Sequence, residues 1–156
     1  MSEKTRKLKV LFLCTGNSCR SQMAEGWTRH LLGDSIEPYS AGTESHGLNQ
    51  DAVRVMKDAG VDISGHKSKL VTSLVHIDFD LVVTVCDNAR EACPVFPGGA
   101  KIVHHSFDDP PRLASSLNSQ DERLDVYRRV RDEIREFVLT LPLLIDPVSK
   151  QSPRMP

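Results

Sequence analysis

Hydrophobic positions along the chain fall into two rhythms. Leu8–Leu13 is almost unbroken apolar sequence that stops abruptly at Thr15-Gly16-Asn17, the pattern of a strand buried on both faces. Met23, Ala24, Trp27 and Leu31 then recur at helical spacing, with Gly33 where a helix would stop. Ile36–Ser40 reads as a second strand ended by Ala41-Gly42. Ala52, Val55, Met56 and Ala59 stripe a second helix that begins near Asn49 and ends at Gly60. Leu81–Val85 is a β-branched run that leads directly into Cys86. A weaker strand, Lys101–His104, precedes a Pro-rich turn at Asp108–Pro111. The last helix opens on the capping box Ser119-x-x-Glu122, carries Leu124, Tyr127, Val130, Ile134, Val138 and Leu141, and is closed by Pro142.

Strands alternating with helices predict an α/β fold: a parallel sheet covered on both faces, joined by right-handed crossovers. Ligands of such sheets bind beyond the carboxyl ends of the strands. Cys14 and Cys86 both stand at predicted strand ends, so two cysteines far apart in sequence share one edge. A chain of 156 residues fits one domain, read as residues 1–145, followed by a Pro-rich, apolar-poor tail over 146–156. The 20 Lys and Arg against 21 Asp and Glu give a net charge of −1, which lacks the basic footprint of a nucleic-acid binder. The run Val10–Cys14 is too short to cross a bilayer, and the basic start at Lys4, Arg6, Lys7 and Lys9 has no adequate apolar region behind it. A cytoplasmic protein is expected, with no membrane association.

In a reducing compartment the four cysteines, Cys14, Cys19, Cys86 and Cys93, rest as thiols, so a disulfide among them points to catalysis or redox sensing. Their C-x4-C and C-x6-C spacings lack the tight pairs of a structural zinc site, and no metal is expected. The stretch Cys14-Thr15-Gly16-Asn17-Ser18-Cys19-Arg20-Ser21 joins a strand to a helix. A loop in that place turns successive backbone N–H groups inward beside a helix N-terminus, a cradle for an oxyanion. Gly16 and Asn17 tolerate the left-handed backbone it needs, and Arg20 can fork onto two oxygens of a tetrahedral anion. N–H groups, the helix end, Arg20 and a hydrogen bond from Ser21 all favour the thiolate of Cys14, making it a nucleophile that faces the anion. Cys19 lies within the loop and is read as a packing residue.

C-x5-R-S after a first strand resembles the low-molecular-weight tyrosine phosphatase superfamily. The fuller string from Cys14 to Trp27 is similar to its thioredoxin-coupled arsenate reductase branch, as are Ser40-Ala41-Gly42, His46-Gly47, Leu81–Thr84, the Cys86/Cys93 pair and Phe107–Pro110. The resemblance spans about residues 8 to 141. It implies a single-domain three-layer sandwich with a four-stranded parallel sheet. It also implies a monomer that acts on arsenate, holds no bound cofactor and uses thioredoxin as external reductant. Residues Thr15 to Ser21 would bind the oxyanion, and Asp109, the Asp before Pro, would be the acid, with Asp108 as the alternative. Reducing arsenate takes two electrons, which two thiols supply by joining. Cys14 would attack arsenic, Cys86 would attack Cys14 and expel arsenite, and Cys93 would take over the disulfide. If residues 87–92 are helical, Cys86 and Cys93 lie about 10 Å apart along the axis, beyond disulfide reach, so that segment would have to unwind.

The chain departs from the family in places. Asn17, Ser40 and Glu25 match a monovalent-cation site of relatives, but Lys67 and Lys69 replace its remaining ligands, so an ammonium could stand in for potassium. Residues 111–120 look longer than the usual connection. His46 and His66 are read as supporting hydrogen bonders, not bases. Two rival readings stay open: a phosphatase using Cys14, Arg20 and Asp109, although Pro111-Arg112 replaces the aromatic pair such enzymes usually carry, and a thiol redox sensor or oxyanion-binding module.

Overall fold

Strand β1 (Leu8–Cys14) owes its composition to its place: Val10, Leu11, Phe12 and Leu13 are wholly buried. The structure is a computed structural model and describes residues 6–86, 93, 96 and 99–145. Strands β1, β2 (Ile36–Gly42), β3 (Leu81–Thr84) and β4 (Lys101–His104) form one parallel sheet in the order β2-β1-β3-β4. With a partner on each side and cover on each face, β1 has no polar position to offer water. β2 lies at an edge, which accommodates Pro38, because an edge strand leaves N–H positions without a ladder partner. Leu13 is level with Ala41 on one side and Thr84 on the other, and Val85 N donates to Leu13 O at 2.9 Å. Cys14 and Cys86 therefore leave the sheet at the same edge.

The helices are α1 (Arg20–Leu32), α2 (Gln50–Asp58), α3 (Pro110–Ala114), α4 (Gln120–Val138) and α5 (Leu141–Leu144). The stripe Leu124, Tyr127, Val130, Ile134 and Val138 of α4 is buried, and α1, α2 and α3 all pack against this helix. Two hydrogen bonds tie the group together: Trp27 Nε1 donates to Arg131 O at 3.1 Å, and Arg131 Nη1 donates to Val55 O at 2.9 Å. A bond from Ser40 Oγ to Glu25 sets α1 on the sheet face that carries Pro38 and Ser40. Tyr39 points to the opposite face, where it starts an edge-to-face chain with Phe79 and Phe96, centroids 5.2 and 5.7 Å apart.

The helix starts follow their sequence signals. Asn49 Oδ1 accepts from Ala52 N at 2.9 Å, and Ser119 Oγ accepts from Glu122 N at 3.0 Å. Gly33 is the C-cap of α1, at the stop the sequence indicates, with φ −61°. Two places differ. Asp108–Pro111 is no isolated turn: Asp109 is the N-cap of α3, whose first two positions take Pro110 and Pro111 because an N–H there would have no helical acceptor. Pro142 does not close the last long helix. That helix has already stopped at Val138, and Pro142 sits in the first turn of α5. The expected helix over 87–92 and the tail over 146–156 lie outside the described residues. Among the described residues, no helix is long and apolar enough to cross a membrane.

Candidate active site

The loop from β1 to α1 is shaped from outside. Every carbonyl from Cys14 to Cys19 is taken by a group behind the loop. Thr43 N donates to Cys14 O (3.2 Å), Glu44 N to Thr15 O (2.8 Å), His46 N to Gly16 O (3.0 Å) and Asn49 N to Ser18 O (2.9 Å). Gln22 Nε2 donates to Asn17 O at 3.0 Å, and Met23 N closes the first helical turn on Cys19 O at 2.9 Å. In a trans peptide the N–H of the next residue points opposite to the carbonyl, so the N–H groups of residues 15–20 turn toward the hollow. The N-terminus of α1 adds its partial positive charge there. Two glycines make the fit possible. A Cβ on Gly16 would strike the His46 ring, and one on Gly42 would strike the backbone of Thr15, Asn17 and Glu44.

Asn17 supplies the one non-glycine positive φ among the described residues, 50°. Its side chain holds it there: Oδ1 accepts from Lys69 N at 2.7 Å, which leaves Nδ2 to donate to Ser21 Oγ at 2.9 Å. Ser21 Oγ lies 2.8 Å from Cys14 Sγ. Because the Ser21 oxygen already accepts from Asn17, its own proton is free to point at sulfur, where it stabilises a thiolate. Cys14, Asn17 and Ser21 are all buried, so this relay works away from bulk water.

Arg20 opens α1 and reaches across the hollow. Nη1 donates to Phe107 O at 2.9 Å, and Nη2 stands 3.9 Å from Asp109 Oδ2. Asp109 lines a cavity of about 260 Å³ with Cys14, Thr15, Gly16, Ser18, Cys19, Arg20, His46 and Pro111. Asp108 turns away and pairs with Arg129 at 3.0 Å. A cysteine sulfur, the loop that turns its N–H groups inward, an arginine and a carboxylate thus border one cavity. A separate cavity of about 640 Å³ is lined by Val103, His105, Phe107 and Phe137 among others, with no cysteine or arginine among the described lining residues.

The sequence profile described as low molecular weight phosphotyrosine protein phosphatase matches residues 9–150. This chain belongs to that family. The arsenate reductase of Bacillus subtilis (strain 168) is 50% identical over 135 residues, which span 84% of this chain and 95% of the relative. A solved arsenate reductase in its reduced state superposes with a TM-score of 0.66 at 33% identity, covering 90% of this chain and 98% of its own. The thioredoxin-dependent arsenate reductase of Corynebacterium glutamicum gives a TM-score of 0.64 at 26% identity, covering 91% of this chain and 65% of that one.

Beyond this family's cradle stands a second thiol. Cys86 is buried, with Sγ 3.2 Å from Thr15 Oγ1, the residue that follows Cys14. Cys93 is half-buried against the core, and burial raises its thiol pKa. Cys19 is buried as the N-cap of α1. Desolvation, then the neighbouring Cys14, push its pKa upward against the opposing pull of Arg20, which suits packing more than attack. At the position that sequence reading matched to a cation site, the described side chains pair with one another. Glu25 accepts from Ser40 Oγ (2.5 Å) and Arg29 Nη2 (2.9 Å), while Lys69 Nζ lies 4.0 Å away and donates to Lys67 O at 2.8 Å. The Lys67 side chain is exposed. Sequence reading missed the outer belt at Thr43–Asn49, the Ser68 hydroxyl on Gly16 O and the wholly buried Gln22. Gln22 carried a signal all the same: an amide inside an otherwise apolar helix face needs partners.

Proposed function

We propose that this chain reduces arsenate to arsenite by a relay of three cysteines. Cys14 thiolate attacks arsenic(V) held by the loop N–H groups and Arg20, forming an S–As bond while one oxygen leaves as water. Asp109 supplies the proton, a role supported by its place on the cavity wall, whereas Asp108 is engaged by Arg129. Cys86 thiolate then attacks Cys14 sulfur. The S–As bond breaks with its electron pair going to arsenic, which departs as arsenite, and Cys14–Cys86 is left oxidised. Cys93 next attacks Cys86, frees Cys14 as thiolate and leaves Cys86–Cys93 for a thioredoxin dithiol to reduce. The two electrons gained by arsenic come from two thiols, and no bound cofactor takes part.

The observation that carries this reading is Cys86 at the lip of the cradle, 3.2 Å from the Thr15 hydroxyl. Hydrolysis of a phosphoester needs one thiol and a water, whereas a two-electron reduction needs a second thiol to take over the first, and the place of Cys86 beside Thr15 supports that use. The names of the relatives point the same way: arsenate reductase at 50% identity, and a thioredoxin-dependent one among the structural neighbours. The family is also one of phosphatases, and its cradle suits either anion. Wild type and Cys86→Ser should be compared for arsenite formed and for phosphate released from an aryl phosphate. Loss of arsenite turnover by at least about 100-fold with little change in phosphatase rate supports the relay. Equal arsenite turnover in the two proteins would sink it.

A further inference from the structure

The long helix α4 reaches the anion cradle through one side chain, Tyr127, and one intermediary, Asn49. The groups around Asn49 settle which end of its amide is which. Oδ1 accepts from Ala52 N at 2.9 Å, so the other end is the NH2 group, and it donates to Tyr127 Oη at 3.2 Å. The backbone of Asn49 is engaged as well: its O accepts from Val53 N at 3.1 Å, and its N donates to Ser18 O at 2.9 Å. Two of these bonds run to α2, one holds the cradle and one goes to α4.

Tyr127 lies on the buried stripe of α4. Burial pushes its pKa up to about 12; the bond from Asn49 pulls it down, while Cys19, Asp51 and Asp109 add to the rise. The hydroxyl is therefore neutral at physiological pH and keeps its lone pairs for the Asn49 amide. Cys19 and Asp109 both line the anion cavity, so the ring stands behind the cradle and not at a distant surface. Arg131, also from α4, grips α2 farther along, at Val55 O. Tyr127 supplies the corresponding hold at the cradle end.

That hold matters because of what Asn49 N secures. Ser18 O and Cys19 N belong to one planar peptide. With the oxygen tied outward to Asn49, the Cys19 N–H turns toward the hollow; a shift of Asn49 would free the peptide to rotate and take that donor with it. We propose that Tyr127 is a positioning residue for the oxyanion: its hydroxyl fixes Asn49, and through Asn49 N it aims the Cys19 N–H at the bound anion. The proposal rests on the β1–α1 loop being the anion site and not on the three-cysteine relay. The sulfur of Cys14 is held by a separate set, Ser21 and Asn17. Anion affinity and the reactivity of the thiol should therefore come apart on substitution.

Inorganic phosphate is the probe, with its affinity measured by calorimetry and by the protection it gives Cys14 against iodoacetamide. Tyr127→Phe removes only the hydroxyl. It should weaken phosphate binding about fivefold, while Cys14 of the phosphate-free protein is labelled within about twofold of the parent rate. Parental phosphate affinity would overturn the role, and so would binding and labelling that fall together, the mark of a loop loosened throughout. Asn49→Ser gives a second arm, because serine still caps α2 but offers no amide to Tyr127. Phosphate binding by the Asn49→Ser/Tyr127→Phe pair should lie within about twofold of the weaker single variant; losses that multiply would show that Tyr127 does not act through Asn49. Should Tyr127→Phe not fold, Asn49→Ser alone must show the split between binding and labelling, and parental affinity there would overturn the proposal. Failure of the parent to bind phosphate would bring down the anion site and this role together, whereas a failed relay would leave both standing.

Discussion

Two loops meet over the cavity, and they are held by different kinds of bond. The β1–α1 loop is fixed by backbone: amides of residues 43, 44, 46 and 49 occupy its carbonyls, and two glycines let those segments press against it. The loop from His105 to Pro111 has backbone ties at His105 N and Phe107 N, but beyond them it depends on side chains, with Arg20 on Phe107 O and Arg129 on Asp108. The first arrangement suits a group that must be rigid to stabilise a thiolate and an oxyanion. The second suits the acid role proposed for Asp109, because its anchor, Arg20, would also serve the incoming anion. Stability and chemistry should therefore be coupled in the first loop and separable in the second.

The largest effect should come from Gly42→Ala, whose methyl group meets backbone atoms that cannot swing aside. A cost of about 2–4 kcal/mol is expected, lowering Tm by roughly 5–15 °C together with nearly all activity. Full activity at unchanged Tm would mean the belt does not shape the cradle. In the acid loop, Asp109→Asn should cut kcat about 100-fold with little change in Tm. Asp108→Asn breaks only an exposed ion pair and should cost less than about threefold. Similar losses in both variants would erase the distinction between the two aspartates.

That distinction also marks how far sequence reading reached. The strand at Leu8–Cys14, the cradle residues and the shared edge of Cys14 and Cys86 were legible because each has a local signature: an apolar run, a Gly-Asn turn, a strand followed at once by cysteine. Sequence reading favoured Asp109 over Asp108 through the resemblance alone, as the Asp before Pro; the pairing that engages Asp108 comes from Arg129, 21 residues farther along. The belt at Thr43–Asn49 was invisible for a stronger reason. Its work is done by backbone N–H groups, which every residue except proline carries. Pro142 misled because proline fits the first turn of a new helix as well as it ends an old one.

A smaller effect separates pH from activity. His66 and His105 both titrate below the ordinary histidine value, chiefly through burial. Between those lowered values and about pH 6.5 the unfolded chain binds more protons than the folded one, so stability rises with pH through that window. The urea midpoint should be steady above about pH 7 and fall as pH drops toward 5; a midpoint that rose on acidification would contradict the burial of these rings. The smallest effect is a null one. With Lys69 and Arg29 about Glu25, potassium should leave turnover unchanged against a sodium or choline control, and several-fold activation would show that the position accepts an ion after all.

The relay itself is tested most directly by trapping it. Cys93→Ser protein, given one equivalent of arsenate and no reductant, should form arsenite and yield a Cys14–Cys86 disulfide on peptide mapping, while the parent should yield Cys86–Cys93. Arsenite formed with Cys86 still a thiol in both proteins would contradict the account.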